Sequence, residues 1–206
     1  MLAAYLDRIG LGAPVPATRA GLGQVMAAHL DAIPFENLDV FLGRGSADGI
    51  EAIHEKLVAR RRGGWCYEQN GLLGWALGEM GFEVTPVAAR VNRSDGDPGG
   101  KPFFYEFRAE PADSGRLSHW RNWQESDPGS PFVGNLVAQR RIGDEHLVLR
   151  GRVFTVQGPA GVSRRLIADR DELVALLRDR FGLDVVEIAV KWPLIVARHE
   201  ELFGSE

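Results

Sequence analysis

Cys66 is the only cysteine of the chain, and it follows Arg62-Gly63-Gly64-Trp65 and precedes Tyr67-Glu68-Gln69-Asn70. A guanidinium and two glycines ahead of a thiol, with helical apolar spacing starting just after it, describe a tight turn that enters a helix N-terminus. In that setting the helix dipole and a nearby arginine favour the thiolate, which lowers a cysteine from its free value of ~8.5 toward neutrality. Cys66 is therefore expected to act as a nucleophile. The competing expectation is a small buried hydrophobe, the usual role of a lone cysteine in a reducing compartment.

A nucleophile of this kind needs a base. His29 and His54 fall on helical patterns, where a histidine is more often a packed or solvated side chain. His119 sits in an irregular stretch, Leu117-Ser118-His119-Trp120, with Asp113 and Asp127 nearby in sequence, and His146 falls in a strand pattern. Nothing in the spacing brings any of them to Cys66. No His, Cys, Asp and Glu cluster has metal-ligand spacing. Gly63-Gly64 is not a phosphate loop, because the lysine and hydroxyl of that motif are missing.

The elements that must hold these residues follow from periodicity. The first third is helical: Leu2, Tyr5, Leu6 and Ile9 share one face, Thr18 caps a second helix ending before Pro34, and a third spans Ile50 to Arg61. Between them, Ile33 to Val40 reads as an ordered loop. The Gly63-Gly64 turn opens a fourth helix from Cys66 to Met80, which Gly81 stops. From Glu83 the period changes to strands at Val84 to Val91, Phe103 to Ala109, Leu136 to Ile142, His146 to Leu149, Val153 to Gln157 and Val162 to Ala168, with a turn over Asn92 to Gly100. Asp169 caps a helix to Phe181, and a last one covers Pro193 to Phe203.

With 206 residues the chain suits one generous domain or two small ones. A net charge of -4 and a pI near 5.8 give no nucleic-acid footprint, and Arg60-Arg61-Arg62 reads as a solvated helix end. The first ten residues carry Asp7 and Arg8 and lack a long apolar run, so neither a signal peptide nor a membrane span is expected. A cytoplasmic location is expected, since one cysteine makes no internal disulfide.

Several motifs in order resemble the arylamine N-acetyltransferases: Tyr5-Leu6-Asp7-Arg8-Ile9-Gly10, then Ile33-Pro34-Phe35-Glu36-Asn37-Leu38, the Arg62 to Asn70 run, Gly81-Phe82 and Arg90-Val91. Asn122 to Phe132, His146 to Gly151 and Phe181-Gly182-Leu183 extend the resemblance to the far end. It implies an α+β fold in a shortened cysteine-proteinase-like arrangement. A helical domain over 1–81 carries Cys66, a reduced antiparallel sheet or open barrel occupies 82–168, and a C-terminal helical segment fills 169–206.

The same resemblance implies acetyl transfer from acetyl-CoA, a co-substrate rather than a bound cofactor, through a Cys66 thioester to an aromatic amine or hydrazine. It implies supporting roles for Arg62 and Glu36 as a buried ion pair, with Arg8 close by, and for Asn70. A buried guanidinium at a turn requires a carboxylate partner in any case, whereas an exposed pair would contribute little. Phe35, Trp65 and Phe82 either line an aromatic pocket or belong to the core.

The middle of the chain departs from the family pattern. The Thr-His strand and the Asp-Val-Gly-Phe-Gly-like stretch that supply the family's catalytic histidine and aspartate are both missing between Val91 and Phe103. An internal deletion of that size leaves an incomplete triad and opens strand edges, which favour self-association. The alternatives to an enzyme are a non-catalytic homologue acting as a binding or interaction module, and a defective gene product.

Overall fold

A computed structural model of the chain describes residues 1–92 and 104–204. The N-terminal part is helical: α1 (Leu2–Arg8), α2 (Arg19–Ala32), α3 (Leu38–Leu42), α4 (Ile50–His54) and α5 (Cys66–Glu79). Thr18 Oγ1 accepts the N–H of Gly21 at 3.1 Å and so caps α2. After α4 the chain widens into a π-helical turn, Glu55–Ala59. Tyr5, Leu6, Val25, Leu57, Leu72 and Ala76 close a core among these helices.

β1 (Phe35–Glu36) leaves the helices to join β4 (Val137–Ile142), β5 (Glu145–Arg150), β6 (Val153–Gly158) and β7 (Gly161–Leu166) in an antiparallel sheet of that order. Alternation along β4 to β6 turns Ala138, Leu147, Leu149 and Phe154 to one face. That face packs on α3, α8 (Arg170–Leu176), the π-helical turn Leu177–Phe181, the 3-10 turn Val186–Lys191 and α9 (Trp192–Phe203). Asp169 caps α8 by accepting the N–H groups of Asp171 and Glu172, both at 2.9 Å. β2 (Ala89–Asn92) and β3 (Phe104–Phe107) form a separate two-stranded ribbon, and the described residues contain no closed barrel.

Helical bundle and sheet are joined through Asn37. Its Nδ2 donates to the carbonyls of Phe132 and Asn135, each at 2.8 Å, and its Oδ1 accepts the N–H of Val137 at 2.7 Å. With its own backbone N–H donating to the Val137 carbonyl at 3.2 Å, one side chain and one amide fix the start of β4.

Four sequence expectations need correction. Ile33 to Val40 is not a loop but β1 followed by α3, whose Leu38 and Phe41 reach the sheet's core. The strand expected from Val84 begins only at Ala89, since Pro86 offers no N–H and its carbonyl is taken by the N–H of Ala112. His119 lies not in irregular chain but on α6 (Ser114–Ser126), capped by Asp113 and followed by α7 (Pro131–Gly134). Third-helix periodicity is broken by the π-turn, which buries Lys56, Leu57 and Val58 in succession. The turn expected over 93–100 lies outside the described residues.

Candidate active site around Cys66

The turn before Cys66 is built by backbone approach. Gly64 N–H donates to the Pro34 carbonyl at 3.2 Å and Glu36 N–H donates to the Gly64 carbonyl at 3.1 Å. A Cβ on Gly63 would stand 2.4 Å from the Pro34 oxygen and 2.7 Å from Glu36 Cγ, and one on Gly64 would stand 2.8 Å from Glu68 Oε2. Both glycines are therefore required by contact, not by a left-handed backbone. Gly63→Ala is expected to lower the urea unfolding midpoint by the equivalent of about 1–3 kcal/mol. Gly23→Ala, exposed on α2 with nothing within 4 Å of the added carbon, should instead be neutral or slightly stabilising.

A buried polar chain holds the same turn from behind. Gln69 Nε2 donates to the carbonyls of Pro34 at 2.9 Å and Gly64 at 3.2 Å, which turns its Oε1 toward His29 Nε2 at 2.6 Å. His29 must then carry its proton on Nε2, leaving Nδ1 to accept the Tyr5 hydroxyl at 2.9 Å. Burial lowers the His29 pKa, with the Gln69 hydrogen bond opposing and the Arg8 charge adding, so the ring is a neutral structural link.

Beneath the turn lies a cluster of five charges. Arg62 Nη2 meets Glu36 Oε1 at 2.8 Å and Asp39 Oδ2 at 3.3 Å. Lys56 Nζ meets Asp39 Oδ2 at 2.7 Å, Glu68 Oε1 at 2.9 Å and Glu36 Oε1 at 3.9 Å. Glu68 also accepts the N–H groups of Trp65 at 3.1 Å and Ala47 at 2.9 Å, tying the first turn of α5 to the cluster.

The local charges set the protonation of the cluster. Burial alone would lower the Lys56 ammonium, but Glu36, Glu68 and Asp39 together hold it above its usual value. Burial alone would raise Asp39, but Lys56 and Arg62 hold it below the usual carboxylate range. For Glu68, burial prevails over Lys56 and raises the carboxyl.

Cys66 itself is half-buried at the first position of α5. The expected depression of its pKa is not found: burial pushes the thiol up from 9.0 to about 11, and the Glu68 charge adds to this. Hydrogen bonds from the backbone N–H groups of Tyr67 and Cys66 oppose the rise without overcoming it. Arg62, expected to favour the thiolate, is committed to Glu36 and Asp39 instead. No histidine among the described residues reaches hydrogen-bonding distance of the sulfur. His54 Nε2 faces the Met1 carbonyl at 3.1 Å, and His119 is exposed against Trp120. His146 lies half-buried on β5, lowered by burial and by Arg141 and Arg150.

Two other expected supports lie apart from the cluster. Arg8 is buried with its Nε donating to the Leu57 carbonyl at 3.1 Å, and has no ion-pair partner among the described residues. Burial and the charges of Arg61 and Arg140 lower its pKa to about 10. Asn70 is exposed on α5, and its side chain makes no hydrogen bond with the described residues. Trp65 is buried and Phe82 is half-buried against the helical core; Trp65 packs against Tyr67 and Phe132 with ring centroids 5.1 and 5.6 Å away.

Lys56, Asp39 and Glu68 carry much of the cluster and are not singled out by the sequence pattern, although Glu68 three residues after Trp65 has capping-box spacing. His199 is also missed: it is buried on α9 against Phe203, and its Nε2 has no partner among the described residues.

A helical bundle that presents a cysteine at a helix start beside an antiparallel sheet defines a class, and comparison gives its family. The N-acetyltransferase family model matches residues 20–103 and 100–190, and the chain belongs to that family. Its relatives are arylamine N-acetyltransferases. The enzyme of Mycobacterium tuberculosis is 26% identical over 276 positions that cover 100% of this chain and 96% of the relative. That of Mycolicibacterium smegmatis is 55% identical over 92 residues, covering 44% of this chain and 33% of the relative.

Solved structures agree. That of the M. tuberculosis arylamine N-acetyltransferase has a TM-score of 0.82 at 26% identity, covering 96% of this chain and 99% of that one. The Mycobacterium marinum enzyme in complex with CoA gives 0.77 at 25% identity, covering 98% and 99%. Aligning 206 residues over 276 positions requires a long gap, and the two family matches meet at residues 100–103.

Among the described residues no group of His, Cys, Asp and Glu side chains is arranged to hold a metal ion, and no helix is long and apolar enough to cross a membrane.

Proposed function

We propose that this chain is an arylamine N-acetyltransferase homologue that accepts an acetyl group from acetyl-CoA on Cys66 and passes it to an aromatic amine or hydrazine slowly, without a histidine base. The reading is supported above all by the place of Cys66, first in α5 and behind a glycine turn stitched to Pro34 and Glu36. In the first step the sulfur attacks the thioester carbonyl, the carbonyl–sulfur bond of acetyl-CoA breaks, and the coenzyme leaves as its thiol with the proton that Cys66 gave up to water. In the second, the amine nitrogen attacks the Cys66 thioester, loses a proton to water and frees the cysteine. A general base contributes typically 10²–10⁴-fold, which is the expected deficit against a complete triad. The reading carries with it a reducing, cytoplasmic setting.

Intact-protein mass after incubation with acetyl-CoA tests this. One added acetyl group on the wild type and none on Cys66→Ser is the expected result. A folded protein whose Cys66 reacts with a small alkylating agent but never acquires the acetyl group would overturn it. That outcome would favour the second reading, a non-catalytic homologue acting as a binding module, which is supported by a thiol pushed up to about 11 with no histidine in reach. Absence of a cooperative unfolding transition would point instead to a defective gene product.

A further inference from the structure

The fold divides the Arg60-Arg61-Arg62 run, which in the sequence looks like one solvated helix end. Arg62 turns inward to Glu36 and Asp39, whereas Arg60 and Arg61 are exposed and have no ion-pair partner among the described residues. Arg61 holds φ at 51°, the one positive value at a non-glycine position among the described residues, in a region that most side chains avoid. Its N–H donates to the Val58 carbonyl at 3.3 Å, so the bend at Arg61 carries the chain from the π-helical turn toward Gly63.

Two further arginines gather at this bend. Arg8, the last residue of α1, is 8% exposed and gives its Nε to the Leu57 carbonyl at 3.1 Å, while its two Nη groups donate to nothing among the described residues. Arg140, half-buried on β4, donates from Nη1 to the Arg180 carbonyl at 3.3 Å, and its Nε is buried without a partner. A Cβ on Gly182 would stand 3.0 Å from that Nη1, so this guanidinium lies against the backbone there. The charges of Arg61 and Arg140 both act on Arg8, and none of the three has a carboxylate partner among the described residues.

A buried guanidinium without a counter-charge is costly, and further cations beside it add to the cost. Carbonyls near helix ends offset part of it through their partial negative charge. Each guanidinium carries five N–H groups, however, and only one on Arg8 and one on Arg140 is engaged. The free ones form planar forks suited to the oxygens of an anion. A single carboxylate would be satisfied by one fork. Three cations approaching from α1, the bend and β4 match a tetrahedral group with close to two negative charges.

We propose that Arg8, Arg61 and Arg140 bind a phosphate group, the spare N–H groups of Arg8 and Arg140 donating to its oxygens and Arg61 closing over it from the surface. Inorganic phosphate and the phosphate of a small ester, such as the one carried by coenzyme A, present the same oxygens. Competition separates these two sources.

Isothermal titration of the full chain with inorganic phosphate at neutral pH, with ionic strength held constant by chloride, tests the site. One phosphate should bind per chain, and it should raise the urea midpoint of the wild type. Arg61→Asn keeps a residue that tolerates the left-handed bend and should weaken phosphate binding roughly tenfold. Arg8→Met should abolish both the binding and the phosphate-dependent rise in midpoint; if that variant does not fold, Arg61→Asn and Arg140→Gln decide. Coenzyme A that displaces phosphate would identify the ester as the ligand, and phosphate binding unchanged by coenzyme A would identify the free ion, each with the site in place. No binding beyond the chloride control, or binding that Arg61→Asn and Arg140→Gln both leave at the wild-type strength, would overturn the proposal and mean that helix-end carbonyls and water suffice for these arginines.

Discussion

Lys56→Met lowers the stability of the chain at neutral pH by roughly 3–5 kcal/mol, the cost of leaving a buried charge without its partner. Lys56 is 3% exposed and is the only cation that contacts Glu68 within the five-charge cluster. Methionine fills the same space, so the loss reports on charge and hydrogen bonding rather than on a cavity. Without the ammonium, Glu36, Asp39 and Glu68 face one another with only Arg62 between them.

The pH dependence of that deficit separates electrostatics from packing. In the variant, repulsion and burial raise the carboxyl pKa values in the folded state above their unfolded values, so the folded state binds more protons and its stability rises as pH falls. Glu68 takes a proton first, since burial already raises its carboxyl in the intact cluster. Wild type runs the other way at Asp39, whose depressed pKa gives stability that is present above the unfolded value and lost as pH falls through the folded one. Urea unfolding of both proteins from neutral to mildly acidic pH should therefore show the gap narrowing. Adding Glu68→Gln, which keeps an acceptor for Trp65 N–H, should recover part of the loss at neutral pH. A loss below about 1 kcal/mol would mean that the carboxylates are hydrated without Lys56.

This cluster shows where sequence reading reaches and where it stops. Arg62 and Glu36 are legible because a guanidinium at a buried turn needs a carboxylate and both lie in recognisable runs. Lys56 is not, since a lysine next to an apolar helical stripe reads as solvated. It turns inward only because the π-helical turn Glu55–Ala59 shifts the phase of the helix there. α6 is hidden for the opposite reason: none of its residues is buried, so it has no apolar period to read. It is held by surface contacts such as Arg121 to Asp48 at 2.5 Å and Glu125 to the Ser46 N–H at 2.7 Å. β1 is two residues long, and it is a strand through tertiary partners, β4 on one side and Gly64 on the other. For Cys66 the position was legible but the charge was not. Helix dipole and arginine are local features, whereas burial and the commitment of Arg62 to Glu36 and Asp39 are tertiary ones.

That difference carries the second large effect: Cys66 should react with iodoacetamide about a hundredfold more slowly at neutral pH than a cysteine of ordinary pKa, from the thiolate fraction alone. The thiol is raised from 9.0 to about 11, so at any pH below both values its ionised fraction is lower by the two-unit difference. The rate should climb tenfold per pH unit and level off only near 11. Stability must follow the same proton. The folded thiol keeps it above 9.0, where the unfolded thiol gives it up, so Cys66 contributes stability that is fully present below 9.0 and declines as pH rises toward 11. Cys66→Ser lacks that component, and the difference between the two unfolding curves isolates it from the other alkaline groups. A plateau in the alkylation rate near neutrality would instead show a thiolate stabilised in solution, and the slow, unassisted acetyl transfer proposed for this chain would have to be replaced by a base-assisted one.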